Sequence, residues 1–220
     1  RRLTENSRAS YPLTYLSNIK PSSCADHPKT ILFLTADANG VLPAIARLNR
    51  NQAMLWFLMG YTSKLAGTET GVVSPSSTFS RFFGAPFMPR TPSTYADMLG
   101  KMMQEHDTDV FLINTGWIGG RYGTVKRVDI DVTRAMVRDA VEGRLRDVNY
   151  RTDPLFKFQV PLACPSTSAT DVLNPENMWT DKAEFRAAAE KLAAEFKINF
   201  GKAFGNKGIA PEIVAECPGM

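Results

Sequence analysis

The run Thr30-Ile31-Leu32-Phe33-Leu34-Thr35-Ala36 is almost wholly apolar, rich in branched and aromatic residues, and breaks at Asp37-Ala38-Asn39-Gly40. A run too short for a helix and ended by turn formers predicts a buried strand with a turn at its carboxyl end. Ligands of α/β proteins gather beyond such ends, which makes Asp37 a candidate ligand-side residue. Asn51 to Gly60 is apolar over a helical length. Thr91-Pro92 reads as an N-cap followed by a first-turn proline, and Tyr95, Met98, Leu99, Met102 and Met103 supply a helical stripe that should end near His106. Asp109 to Asn114 is a second buried strand, followed by the glycine-rich loop Thr115–Gly123, whose backbone can approach a ligand closely. Lys126 to Ile130 alternates like a strand, and Asp131 to Gly143 looks helical, with Met136, Val137, Ala140 and Val141 on one side. The last helix is expected from Asp181 to about Phe200. It opens on capping-box spacing between Asp181 and Glu184 and carries a core stripe of Phe185, Ala189, Leu192, Phe196 and Phe200. The sum is an α/β fold, a mixed sheet with flanking helices, without repeats or low-complexity tracts.

Composition narrows the functional classes. A chain of 220 residues with 44% hydrophobic and 22% charged content can bury a sizeable core in one or two domains. The net charge of +4 suits small anions better than a nucleic-acid surface, so no nucleic-acid partner is expected. No window approaches the roughly 20 apolar residues of a membrane span. Three cysteines, Cys24, Cys164 and Cys217, make a poor disulfide framework and favour a reducing, cytoplasmic setting. The chain opens on Arg1 rather than methionine, which points to a processed chain or a fragment.

Few residue sets carry chemistry by themselves. Zinc is not expected, because Cys24-x-x-His27 has only His106 to join it. Two histidines without a nucleophile elbow do not make a triad and read as surface residues. Gly116-x-x-Gly119-Gly120-x-x-Gly123 leads into an extended segment, whereas a dinucleotide fingerprint opens a helix. The Walker A pattern is absent. Arg8, Arg121 and Arg127 sit in turn-rich settings where a forked, permanent cation can hold phosphate or carboxylate. Phe83-Gly84-Ala85-Pro86-Phe87 offers aromatic faces to a base or to packing.

Six segments in one order carry a resemblance. They are Glu5-Asn6-Ser7-Arg8-Ala9-Ser10-Tyr11-Pro12, Phe33 to Pro43, Gly60-Tyr61-Thr62-Ser63-Lys64-Leu65-Ala66-Gly67-Thr68-Glu69, Phe83 to Phe87, Asn114-Thr115-Gly116-Trp117, and Lys126-Arg127-Val128 with Thr133-Arg134-Ala135. With these the sequence resembles the ATP-dependent phosphoenolpyruvate carboxykinases over essentially its whole length, in the family's carboxyl-terminal part. Two positions depart from the family pattern: Ser7 stands for a threonine, and Asn39 for a phenylalanine.

The resemblance implies that residues 1–220 are the carboxyl-terminal, nucleotide-binding portion of the carboxykinase fold. It implies an enzyme, a carboxy-lyase that converts oxaloacetate and ATP to phosphoenolpyruvate, CO2 and ADP in gluconeogenesis. By the motif match Arg8 is catalytic and contacts both substrate and ATP, while Phe87, Arg127, Val128 and Thr133 belong to the ATP site. The family's phosphate loop, its metal ligands for Mg or Mn and its oxaloacetate-binding residues would precede Arg1. The chain alone is therefore expected to lack a metal site and to be inactive. Its implied partners are the missing amino-terminal portion and the substrates, and a homo-oligomer is compatible with it. The rival expectation is a non-catalytic nucleotide-binding or interaction module of the same fold.

Overall fold

A computed structural model of the chain describes residues 9–65, 71–84 and 87–220. The elements run β1 (Thr30–Thr35), β2 (Ile45–Leu48), α1 (Arg50–Met59), β3 (Tyr61–Lys64), β4 (Ser76–Phe79), α2 (Pro92–His106), β5 (Asp109–Asn114), α3 (Ile130–Val141), β6 (Tyr150–Thr152), β7 (Gln159–Pro161), α4 (Pro175–Met178), α5 (Lys182–Phe204) and α6 (Pro211–Val214). The two apolar runs of the sequence, β1 and β5, lie side by side and parallel, with Thr30 opposite Asp109 and Thr35 opposite Asn114. Strands β2, β7 and β6 extend the sheet antiparallel, giving the order β1-β5-β2-β7-β6. Strands β3 and β4 form a separate hairpin ladder. The mixed sheet with flanking helices is the expected fold class.

Burial explains which elements the sequence announces. All of β5 is buried, as an unbroken apolar run in a strand covered on both faces should be. Helix α1 buries nearly every side chain from Gln52 to Met59, so its hydrophobicity surrounds the axis instead of forming a stripe. Its start is fixed by a capping box in which Asn49 accepts from the Gln52 amide at 2.8 Å and the Gln52 side chain accepts from the Asn49 amide at 3.0 Å. Trp56 of α1 anchors an aromatic core, tilted against Phe158 at 5.1 Å and Phe196 at 4.9 Å between ring centres.

Several expectations are corrected. Lys126 to Ile130 is not a strand. Arg127 makes a single bridge to Trp117, and Asp129 already caps α3, so extended backbone has no length left to pair. Of the expected α2 stripe Met103 is in the core, Leu99 packs against it and Tyr95 and Met102 are half-buried, whereas Met98 is 51% exposed; Ala96 and Gly100 are also buried and let α2 approach α1, where Arg50 donates to the Gly100 carbonyl at 3.1 Å. Similarly, Val141 at the end of α3 is exposed, and α5 runs one turn past Phe200 to a buried Phe204. The two histidines lie at the surface as expected, His27 exposed and His106 half-buried, and stack with ring centres 3.6 Å apart. Helix α5 starts where expected, with the Asp181 carboxylate accepting from the Ala183 and Glu184 amides as its N-cap.

Tyr61, the first residue of β3, is fully buried and donates its hydroxyl to Asp37 at 2.8 Å. Burial foremost, then the Asp37 charge, holds its pKa well above 10.0. A raised folded-state pKa means that the stability this neutral phenol contributes is complete below pH 10.0 and is lost as pH climbs toward the folded-state value. Tyr61→Phe should therefore flatten the fall in unfolding free energy above about pH 10, read by urea denaturation across pH 8 to 11. A residual slope remains, because burial also pushes Cys217 up to about 11 and Tyr150 and Cys164 up to about 12. A slope identical to that of the unsubstituted chain would contradict this.

Candidate functional site: the cavity beside the loop after β5

The carboxyl ends of β1 and β5 feed two loops that are tied to each other before either reaches solvent. Asn114, the last residue of β5, is buried, and its carboxamide uses all four of its hydrogen-bonding positions. Its oxygen accepts from the amides of Asp37 at 3.0 Å and Gly116 at 2.9 Å, and its nitrogen donates to the carbonyls of Leu42 at 3.0 Å and Trp117 at 3.3 Å. Glycine is required at the contact, since a Cβ on Gly116 would stand 2.4 Å from the Asp37 nitrogen and one on Gly40 2.0 Å from the Gly120 oxygen.

Asp37 completes this knot rather than facing a ligand. One carboxylate oxygen accepts from the Asn39 amide and the Tyr61 hydroxyl, the other from the amides of Val41 and Leu42, all within 2.9 Å. Fully buried and fully partnered, it is a structural acid, which corrects the ligand-side expectation. Asn39, the amide that stands where the family pattern has an aromatic, donates to the Tyr61 hydroxyl and to Ser77, each at 3.1 Å, and so ties the β1 loop to the β3–β4 hairpin.

With its root fixed, the loop after β5 forms one wall of a cavity of about 860 Å³. Thr115, Trp117 and Tyr122 line it on that side, and Lys126, Arg127, Val128, Asp129 and Thr133 close it at the start of α3. Trp117 and Tyr122 meet edge to face at 5.1 Å. Arg127 donates its Nε to the Thr115 carbonyl at 2.5 Å and an Nη to the Thr115 hydroxyl at 3.2 Å, and its guanidinium carbon lies 5.8 Å from the Trp117 ring centre. Val128 is held by its amide on the Gly116 carbonyl at 2.9 Å. The Thr133 hydroxyl donates back to the Asp129 carbonyl at 3.1 Å, and the Asp129 carboxylate caps α3.

Of the five site residues carried over by motif, the cavity brings together Arg127, Val128 and Thr133. Phe87 is 86% exposed and is not among the lining residues. Arg8 lies outside the described residues. Arg121 is exposed on the loop and is likewise not among the lining residues. Sequence reasoning did not single out Tyr122 or Val125, whose signal was only their position near Gly123. Among the described residues no group of three or more His, Cys, Asp or Glu side chains is placed to hold a metal ion, and no helix is long and apolar enough to cross a membrane.

Comparison with known proteins adds a second line of evidence. A family model described as phosphoenolpyruvate carboxykinase matches residues 1–170. The chain is 52% identical over 200 residues to "Phosphoenolpyruvate carboxykinase (ATP) 1" of Moorella thermoacetica, covering 91% of this chain and 38% of that protein. It is 54% identical over 199 residues to "Phosphoenolpyruvate carboxykinase (ATP)" of Bacillus subtilis, covering 90% of this chain and again 38% of the relative. A third relative of the same name, from Caldanaerobacter subterraneus subsp. tengcongensis, is 51% identical over 201 residues, 91% of this chain and 38% of its own length. The chain thus spans well under half the length of these curated relatives and matches their carboxyl-terminal part.

The clamp makes a direct prediction. Asn114→Ala leaves two buried amides and two carbonyls without partners and should lower unfolding free energy by about 2–4 kcal/mol in urea denaturation. A loss under about 0.5 kcal/mol, the size expected of an unconstrained surface position, would contradict the clamp.

Proposed function

The chain belongs to the phosphoenolpyruvate carboxykinase family, and from that premise we propose that the complete protein decarboxylates oxaloacetate and phosphorylates the product from ATP. In this reading the chain supplies the adenine side of the nucleotide site and one catalytic arginine. The observation that carries it is the meeting of Arg127, Val128 and Thr133, three positions matched by motif, in one cavity walled by Trp117 and Tyr122. Two aromatic rings, the apolar side chains of Val125, Val128 and Ile130 and the hydroxyls of Thr115, Tyr122 and Thr133 suit a flat heterocycle with a polar edge.

Charge argues which end of the nucleotide belongs here. Asp129 lines the cavity together with Lys126 and Arg127, and Asp131, paired with Arg134 at 3.5 Å, opens α3 beside it, so a triphosphate placed at this helix start would meet carboxylates as well as cations. The base and ribose carry no such penalty. Arg127, fixed through Thr115 and set near the Trp117 ring, presents a planar cation against which a base can stack. Thr133 offers its hydroxyl oxygen as an acceptor while its proton is held by the Asp129 carbonyl. The aromatic contact carried over to Phe87 has no counterpart in the lining of this cavity.

The reaction asks for charge control rather than covalent help. Loss of CO2 breaks a carbon–carbon bond and leaves its electron pair on an enolate; the enolate oxygen then attacks the γ-phosphorus as the bond to ADP breaks. Negative charge passes between donor and acceptor oxygens, and a fixed guanidinium stabilises it. The motif match assigns that task to Arg8. A divalent Mg or Mn, when bound, would neutralise phosphate charge; no donor set for it occurs among the described residues, so this reading draws its ligands from the rest of the enzyme. The reading sets the protein in the cytosol, in keeping with three free cysteines.

Two measurements test these roles. Calorimetric titration of this chain should give weak ATP binding that does not respond to Mn, and Arg127→Ala should weaken it by about tenfold, the loss of one stacking and hydrogen-bonding anchor. Tight, Mn-dependent binding would contradict the half-site and favour a self-sufficient nucleotide module. In the complete enzyme Arg8→Lys should lower turnover on the order of 10³-fold while the KM for ATP changes little. Near-normal turnover would remove Arg8 from the chemistry.

A further inference from the structure

A second groove, of about 620 Å³, lies between β4 and α5. No residue lines both it and the cavity beside the loop after β5. The two are joined by the turn after β1, where Ala38 lines the groove and its carbonyl accepts from the Tyr122 amide at 2.9 Å. The groove is polar. The hydroxyl-bearing residues of β4 and Asn39 of the turn line it together with Lys191, Glu195 and Asn199, which recur every fourth residue and so stand in one row on α5.

The polar groups of this groove are only partly used within the chain. Asn39 donates both amide hydrogens, to the Tyr61 hydroxyl and to Ser77, each at 3.1 Å, which leaves its Oδ1 without a partner among the described residues. Ser77 accepts in that bond and keeps its own proton to donate. Asn199 donates to the Glu195 carbonyl at 2.8 Å, and its Oδ1 is likewise free among the described residues. The phenylalanine of the family pattern at position 39 has no such groups, so this wall of the groove is a property of this chain and not of the pattern.

Two charges are also left over. Glu195 is half-buried and Lys191 stands one turn before it, yet neither side chain forms an ion pair or a hydrogen bond among the described residues. Lysine before glutamate is the weaker order for a pair at this spacing. A lone anion entering the groove meets Glu195, and a lone cation meets Lys191. A ligand that carries both signs satisfies both and gives a half-buried carboxylate the partner it lacks.

We infer that this groove is a binding site for a small zwitterionic α-amino acid with a polar side chain. The ligand's ammonium, with three N–H groups, takes the Glu195 carboxylate and the Oδ1 atoms of Asn39 and Asn199, while its carboxylate takes the Lys191 ammonium and hydroxyls of β4. The apolar lining is confined to Ala38, Pro75 and Phe79, which favours a hydroxyl-bearing side chain over a large apolar one. This inference goes beyond the proposed function and does not depend on it.

The test follows amide shifts of the isotopically labelled chain by NMR during titration with L-serine and with three compounds that each lack part of it. Glycerate lacks the ammonium, ethanolamine lacks the carboxylate, and glycerol lacks both. L-Serine should shift the amides of Asn39, Ser77, Thr78, Glu195 and Asn199 and saturate at millimolar concentration, and the other three should bind about tenfold more weakly or worse. Lys191→Gln and Glu195→Gln each remove one charge that has no partner to lose, so they should leave the thermal midpoint unchanged and weaken L-serine binding by about tenfold. Glycerol binding as well as L-serine assigns the groove to a neutral polyol and overturns the inference. Equal binding of ethanolamine or glycerate makes one of the two charges idle and overturns it too, as does undiminished binding by either variant. Absence of shifts at these amides with millimolar L-serine has the same consequence, and none of these outcomes touches the nucleotide reading.

Discussion

The candidate site depends on one carboxamide. Asn114 holds four backbone groups from the loops after β1 and β5, and each of its own polar positions is used. Buried polar groups are tolerable only when so paired, and a site of this kind has one arrangement instead of several. An aspartate in its place would keep the two acceptor contacts but set a charge against the Leu42 and Trp117 carbonyls. A leucine would fill the space and leave the loops untied. The register between Thr115, Trp117 and Arg127, and with it the shape of the cavity, follows from this fixed root.

A second acid extends the same constraint to the rest of the fold. Asp37 gathers two backbone amides from the turn after Asn39, the Asn39 amide itself and the Tyr61 hydroxyl, so the end of β1, the following turn and the start of β3 move as one body. Trp179, next to α4, donates its indole to the Gly40 carbonyl at 2.9 Å and brings the chain before α5 to the same turn. No buried side-chain nitrogen or oxygen among the described residues is left without a partner. The cavity is thus built beside two loops tied together by the hydrogen bonds of Asn114 and Asp37.

What could be read from the sequence divides along physical lines. Strands β1 and β5 and helix α1 were legible because each is a continuous apolar run with a polar stop, and a local rule suffices. The segment from Lys126 to Ile130 misled because its alternation is real but serves a single bridge and a helix cap, and pairing partners lie outside any local window. The inner face of α2 is legible only in part for a related reason: the large apolar stripe finds Leu99 and Met103 but includes the exposed Met98, whereas close helix contact also selects the small Ala96 and Gly100. Asp37 was placed correctly at a strand end, yet its role depends on Tyr61 and on the Val41 and Leu42 amides, which only the folded turn brings to it. Arg127, Val128 and Thr133 were reached by motif, while Tyr122 and Val125 became visible only when the loop closed around the cavity.

The central claim is that the wall formed by the loop after β5 and the start of α3 receives the adenine end of a nucleotide. It is tested most directly by titrating ATP into the isotopically labelled chain and mapping amide shifts by NMR, which registers weak binding. The account predicts shifts concentrated at Thr115, Gly116, Trp117, Val128 and Thr133. Shifts confined to the separate polar groove of about 620 Å³ between Ser76–Phe79 and Lys191, Glu195 and Asn199, or no shifts at millimolar ATP, would contradict it.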